Sequence, residues 1–378
     1  MTEPVSNESP ATPSRRHLLG CDPAEINHWL ADAGHERYRT NQILSWIYEK
    51  GAADFSAMSN LSKLLRAWLT ENAALYTSNI ARESVAEDGT RKLLLQFPDG
   101  ATTETVWIPE EDRHTACLST QVGCPVGCRF CASGIDGLQR NLTAGEIVEQ
   151  AMRIRQLIAD AAGNDSSDKP VASIGGFPSR APRLSHIVIM GMGEPLANYD
   201  ALVKALRIIN AEWGLGIGAR KITVSTVGLP KQIRMLAHED LQLNLALSLH
   251  APDNMLRQEL IPWARGVKLE DLLDACQYYF KSTGREVTLE YVLLDGVNMF
   301  ERHAEALAKI AKRLRANVNL LRYNPVEGLE YRRPSSEDTY KFQGVLRGRG
   351  VNVHVRKSRG RDVNAACGQL RRAAEEAS

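Results

Sequence analysis

Four of the seven cysteines of this 378-residue chain fall in one short stretch, at Cys117, Cys124, Cys128 and Cys131. Three and then two residues separate the last three, so a single tight loop can turn three thiolates toward one point. Three sulfurs suit an iron–sulfur cluster with one iron left open. Thiolates select zinc as readily as such clusters. A structural zinc site, however, wants a fourth protein ligand and typically comes as two CxxC-type pairs, and the sequence has no second pair. Clustered free cysteines in a reducing compartment more often bind metal or act in catalysis than form structural disulfides. Cys21 and Cys276 fit no such pattern and read as structural.

The elements that must position this loop are legible in the periodicity. Residues 1–17 are low in apolar content and read as disordered. Over residues 18–80 apolar side chains recur at three- and four-residue steps (Ile26, Trp29, Leu30; Ile43, Leu44, Ile47, Tyr48; Leu61, Leu64, Leu65, Trp68), which predicts a small helical domain. Its basic residues Arg37, Arg39 and Lys50 sit among aromatics and read first as a solvated helix face. Residues 81–112 form a connector in which Lys92–Phe97 and Thr103–Ile108 flank the turn signal Pro98-Asp99-Gly100, predicting a β-hairpin with Glu104 in its second arm.

From His114 onward strand and helix alternate, the mark of a parallel sheet wrapped by helices. Counting gives six βα units across residues 113–356, with a further strand at Val351–Val355. The fold class is therefore α/β, as an open, partial barrel. Cys117 begins the strand leading into the cysteine loop, where a free thiol reads by default as a buried apolar group. Thr143 and Glu146 spell a capping box for the helix that follows, and residues 163–183 are a polar, Gly-, Ser- and Pro-rich surface excursion. Barrel chemistry gathers at the C-terminal ends of strands. Those ends carry the cysteine loop, Gly191-Met192-Gly193-Glu194-Pro195, Ser225-Thr226, Ser248-Leu249-His250 and Asn324-Pro325.

A net charge of +1 excludes global steering toward a polyanion, so any basic surface is local. The local candidate is the segment from Lys341 to Ser378, with nine Lys or Arg against three acids, whose tail at 357–378 carries Cys367 between small residues. No apolar run reaches membrane-spanning length and the start lacks a signal-peptide core, so the chain reads as cytoplasmic.

The cysteine triplet followed by GMGEP resembles the radical S-adenosylmethionine (SAM) superfamily. Over most of the chain, Gln42–Tyr48, Gly191–Leu196, Ile222–Gly228, Ser248–Pro252, Tyr291–Asn298 and Ala365–Leu370 resemble the RlmN family of bacterial RNA adenine C2-methyltransferases. The resemblance implies a 4Fe–4S cluster on Cys124, Cys128 and Cys131, with SAM on its fourth iron. It implies a SAM pocket lined by Gly193, Glu194, Ser225, Ser248, Leu249, His250 and Asn324, the glycines letting backbone approach the cofactor and Glu194 accepting from its ammonium group. Two SAM molecules serve each turnover. The substrates implied are 23S rRNA and tRNA, with an electron donor for the cluster and a monomeric enzyme.

Carbon 2 of adenine is electron-poor and does not attack the methyl of SAM as a nitrogen would, so the family uses a radical route. In its scheme Cys367 carries the methyl, Cys117 resolves the RNA adduct through a transient disulfide, and Glu104 accepts the carbon-2 proton. Taken by residue type alone, Glu104 on a hairpin arm is a solvated charge. The sequence departs from the family pattern at Gly134, where Thr is expected, at Ile261–Ala264 and in the 163–183 insertion. Methylation of carbon 8 of the same adenine uses the same cysteines, and a non-enzymatic metal-bearing RNA-binding protein would need no SAM.

Overall fold

The computed structural model describes residues 15–164 and 182–371. The disordered start expected before residue 15, most of the 163–183 excursion and the last residues of the basic tail lie outside them. The chain divides into two compact units, Met1–Thr77 and Ser78–Ser378.

The first unit is helical, as its periodicity predicts. Helix α1 (Pro23–Asp32) begins with a full capping box: the Asp22 carboxylate accepts from Glu25 N–H and Glu25 returns the bond, each at 2.8 Å. Helix α2 (Arg39–Leu44) runs into a π turn at Ser45–Glu49, and α3 (Lys63–Asn72) is capped by Ser62. Ile26, Leu30, Ile43, Ile47, Leu61, Leu65 and Leu69 form the core. Leu64 falls on that stripe by its spacing, but it is 84 % exposed, because the buried face of α3 runs through Leu65 and Leu69. The Lys50 ammonium lies 3.8 Å from the Trp46 ring centroid.

The second unit is built on one ten-stranded sheet. Strands β1 (Asn79–Val85), β2 (Arg91–Gln96), β3 (Thr102–Glu110) and β4 (Arg113–Cys117) form an antiparallel meander. Strands β5 (Leu184–Ile189), β6 (Ile222–Thr226), β7 (Asn244–Ser248), β8 (Val287–Leu293), β9 (Asn317–Arg322) and β10 (Val353–Arg356) then continue in parallel from β4. Neighbours in the sheet are neighbours in sequence throughout. The six βα units and the extra strand are present, and the hairpin is β2 and β3. The hairpin is not a detached connector, however: β3 pairs with β4, so hairpin and barrel share one sheet.

Helices α4 (Ala144–Asn164), α5 (Tyr199–Asn210), α6 (Pro230–Leu236), α7 (Asn254–Leu260), α8 (Leu269–Thr283), α9 (Glu301–Leu314) and α10 (Ser336–Gly348) connect the parallel strands. The predicted Thr143–Glu146 capping box is formed at the start of α4, with both reciprocal bonds. Among the described residues no helix is long and apolar enough to cross a membrane.

One register assignment needs correcting. Cys117 ends β4 rather than beginning a strand, and it stands opposite Val106 of β3 and Val188 of β5. The chain leaves the sheet just after Cys117 to frame the cysteine loop.

Candidate functional site

The cysteine loop is held at both ends by backbone. A short strand, Gln121–Gly123, pairs with Leu138–Asn141, and Cys124 N–H donates to Gly137 O at 3.1 Å. Gly123 has φ +79°, and a Cβ there would fall 1.9 Å from Gly137 O. Only glycine fits this position. Gly123→Ala is therefore expected to lower the melting temperature and reduce iron retained after anaerobic reconstitution, read by iron and sulfide counts; full iron content would show the loop tolerates the shift. At Gly134, where the family pattern has Thr, a Cβ would stand 3.0 Å from Gly127 Cα, so a larger residue requires the two turns to separate slightly.

Cys124, Cys128 and Cys131 face one pocket of about 990 Å³, solvent at its mouth included. Burial pushes all three thiols up, Cys124 to about 12. Neutral thiols are thus favoured until a cation compensates, which is the behaviour of metal-ligating cysteines. Among the described residues no three His, Cys, Asp or Glu side chains converge on a single metal ion. Each thiolate of a cluster goes to a different iron and asks for no such convergence.

Gly193, Glu194, Ser225, Ser248, His250 and Asn324 line the same pocket. Glu194 is buried, and its carboxylate accepts from Leu196 N–H (3.0 Å), Thr226 O–H (2.7 Å) and Val227 N–H (2.9 Å). Burial pushes it up to about 7 against these hydrogen bonds. The Ser225 and Ser248 hydroxyls pair at 3.1 Å across β6 and β7. His250 has φ +58° and its Nδ1 accepts from Val292 N–H at 3.0 Å. Burial lowers it to about 3, so the ring is neutral and its proton sits on Nε2.

One sequence expectation changes. Leu249 is fully buried and does not line the pocket; its N–H donates to Glu290 O at 3.0 Å. Gly191 and Gly193 of the GMGEP strand end both line the pocket, and both also stand close against neighbouring chain. A Cβ on Gly191 would meet Leu118 O at 2.8 Å, and one on Gly193 would meet Gln121 Cβ at 2.6 Å.

The tail docks into the unit and brings Cys367 to this pocket. Ala132 N–H donates to Gly368 O (2.7 Å), Asn324 Nδ2 to Cys367 O (3.2 Å), Ser133 Oγ to Leu370 O (2.6 Å), and Arg371 N–H to Glu104 Oε2 (3.0 Å). The Arg371 guanidinium clasps Asp136 at 2.9 and 3.0 Å. The Cys367 side chain is exposed, but into the pocket, whose walls push its thiol up, with Glu290 adding to the effect. Cys117 is buried in an apolar cluster with Val106, Met192, Ala365 and Leu370, so the tail lies against it. Burial pushes that thiol far above its ordinary range, and Cys367 contributes.

Much of the positive charge counted toward the tail is already paired. Lys341 meets Glu337 at 2.7 Å, Arg349 meets Glu305 and Arg371 meets Asp136. Glu104, expected as a solvated charge by residue type, is buried and bonded to Lys92 Nζ at 2.8 Å. Sequence reasoning missed Lys92 and also Glu290, a buried pocket carboxylate whose Oε1 accepts from Asn319 at 2.8 Å. A charged residue recurring inside an otherwise apolar strand, as in Lys92-Leu-Leu-Leu and Leu289-Glu290-Tyr291, was the available signal.

A profile described as the ribosomal RNA large subunit methyltransferase N-terminal domain matches residues 16–75, and one described as the radical SAM superfamily matches residues 179–308. A protein of Rhodopirellula baltica named as a probable dual-specificity RNA methyltransferase RlmN is 44% identical over 361 residues, covering 95% of this chain and 92% of that one. A Synechococcus protein of the same name is 46% identical over 366 residues, covering 94% and 96%. The chain belongs to the RlmN family.

The crystal structure of a radical SAM methyltransferase from Sphaerobacter thermophilus agrees with this RlmN fold at a TM-score of 0.87 and 44% identity, covering 94% of this chain and 99% of that one. As a radical SAM member of the RlmN family the protein is a SAM-dependent RNA methyltransferase, and membership implies a 4Fe–4S cluster and SAM. The residues present fit both groups: three thiols on one glycine-pinned loop, and beside them a carboxylate, two hydroxyls and a neutral imidazole in the same pocket.

Proposed function

We propose that the protein methylates carbon 2 of an adenine in 23S rRNA, and of the tRNA purine next to the anticodon, through a methyl carried on Cys367. The observation that supports this reading most is the docked tail. It stands Cys367 in the pocket of Cys124, Cys128 and Cys131 while its neighbour Ala365 packs on Cys117. A methyl carrier must meet SAM on one side and a resolving thiol on the other, and this placement offers both.

When bound, the cluster on Cys124, Cys128 and Cys131 supplies one electron to SAM, whose cleavage provides the hydrogen-abstracting radical. Glu194, with one hydrogen bond on Oε2, has acceptor capacity left for an ammonium group. Ser225, Ser248 and the His250 Nε2–H offer further polar contacts, and Asn324 steadies the tail through the Cys367 carbonyl. Cys367 attacks the methyl of a first SAM as a thiolate, and the sulfonium's positive charge offsets the burial that otherwise keeps this thiol protonated.

With one hydrogen atom of the Cys367 S-methyl passed to that radical, the resulting methylene carbon bonds to carbon 2, the adduct gives up one electron to the redox chain that supplied the first, and Glu104 takes the carbon-2 proton. Cys117 then attacks the Cys367 sulfur. The S–S bond forms as the S–C bond breaks, and the released carbon takes up a proton to become methyl. An external thiol reduces the disulfide, a second SAM is consumed in each cycle, and an electron donor recharges the cluster. These requirements place the reaction in the reducing cytoplasm.

Digestion of rRNA and tRNA from a knockout and a complemented strain, resolved by mass spectrometry, should show 2-methyladenosine returning with the gene. An 8-methyladenosine product would assign the carbon-8 reaction instead. Release of no 5′-deoxyadenosine from the reduced, cluster-loaded protein with SAM would favour a non-enzymatic RNA binder.

A further inference from the structure

Strand register puts three functional side chains on one face of the sheet. Lys92 of β2 stands opposite Val106 of β3, and Val106 stands opposite Cys117 of β4. Glu104 lies two residues back along β3, and side chains two apart share a face. The tail covers this face, with Ala365 and Leu370 packed against Val106 and Cys117.

Lys92 is buried there and has two partners. Its ammonium is 2.8 Å from Glu104 Oε1 and donates to Asn364 O at 3.1 Å. The relative exposures of the two side chains are 9% and 4%, so water screens the pair little. One cation thus touches both the carboxylate and the tail, three residues before Cys367.

We propose that Lys92 is the positioning residue of the carbon-2 deprotonation: it holds Glu104 ionised and aimed at the face shared by Cys117 and the tail, and it ties the tail to that base through the Asn364 carbonyl. The proposal rests on the reading of Glu104 as proton acceptor. In the step itself the C–H bond at carbon 2 breaks, its electron pair stays in the ring, and the proton moves to a Glu104 oxygen. The Arg371 N–H now occupies Oε2, so this end of the tail lifts from Glu104 for adenine to enter.

The charged and titratable groups facing Glu104 are Lys92 on β2, Arg82 on β1, Cys117 on β4 and Arg371 in the tail, whose guanidinium is turned to Asp136. Burial raises Glu104 above the usual carboxylate range, and Lys92 is the largest influence opposing it. Only the ionised carboxylate is a base. Removing Lys92 raises Glu104 further, so the acid limb of adduct resolution moves to higher pH. An opposite charge this close shifts a carboxylate by about 1–3 pH units, so a move of about one unit or more is expected.

The test is a single turnover on RNA with cluster-loaded enzyme premethylated on Cys367. Lys92→Met should keep Cys367 methylation, read by protein mass, and accumulate covalent RNA adduct at pH 7. Its resolution should be slowed about tenfold or more and recover at higher pH. Lys92→Arg should restore much of the rate. Should Lys92→Met fail to methylate Cys367, Lys92→Gln retains a hydrogen bond to Asn364 O without the charge and carries the same test. Resolution at the wild-type rate with an unmoved acid limb, while Glu104→Gln traps the adduct, overturns the role of Lys92 alone. If Glu104→Gln itself resolves normally, the reading of Glu104 falls and the proposal with it.

Discussion

Cys117→Ala is expected to abolish release of methylated RNA while leaving Cys367 methylation and 5′-deoxyadenosine formation intact. A covalent RNA–protein adduct should accumulate to one equivalent. The expectation follows from where Cys117 sits. It does not line the pocket of the three cluster cysteines, so its loss removes no group from the SAM site. It lies under the tail with Ala365 and Leu370, beside the segment that carries Cys367. Its burial keeps it protonated and therefore a poor nucleophile until the site opens.

Truncating one buried sulfur costs about 1 kcal/mol, too little to unfold a domain of this size. Loss of product thus separates from loss of fold. A denaturing gel with labelled RNA reads the adduct, and protein mass reads the methyl. Product release at the wild-type rate would assign resolution to another group.

The architecture was legible because parallel strands read as short apolar runs punctuated by polar ends, and here sequence order is also sheet order. Strand β1 was not, since Asn79–Val85 is exposed along almost its whole length and shows no alternation. Local pattern also failed where burial is decided by distant chain. Glu104 and Lys92 look like surface charges on a hairpin, and they are buried because residues 364–371 fold back over them from the far end of the sequence. The same fold-back sets the position of Cys367, which the tail's basic composition could not indicate. The polar pocket residues were found because they stand at strand ends.

Glu194→Gln should carry the second large effect, on both fold and cofactor. The carboxylate is an acceptor for three donors that link the end of β5 to the end of β6. An amide has one acceptor oxygen, and in its better orientation that oxygen keeps Leu196 N–H and the Thr226 hydroxyl. The NH₂ group then faces Val227 N–H, donor against donor. The reverse orientation only moves the conflict, setting the NH₂ group against Leu196 N–H. Losing a hydrogen bond to a charged acceptor in a buried site costs about 1.5–3 kcal/mol. Relief from burying a charge that is already pushed up to about 7 offsets part of this, so the loss in thermal stability should be moderate.

The effect on SAM should be larger. A charge-assisted bond to an ammonium is roughly twice as strong as a neutral one, so affinity should fall about tenfold or more. Thr226→Val separates the two effects, because it breaks the same latch and leaves the charge. It should lower the melting temperature comparably while SAM affinity, measured by equilibrium dialysis on the cluster-loaded protein, changes much less. Undiminished SAM binding by Glu194→Gln would move the ammonium contact to another residue of the pocket and leave Glu194 as a structural latch between two strand ends.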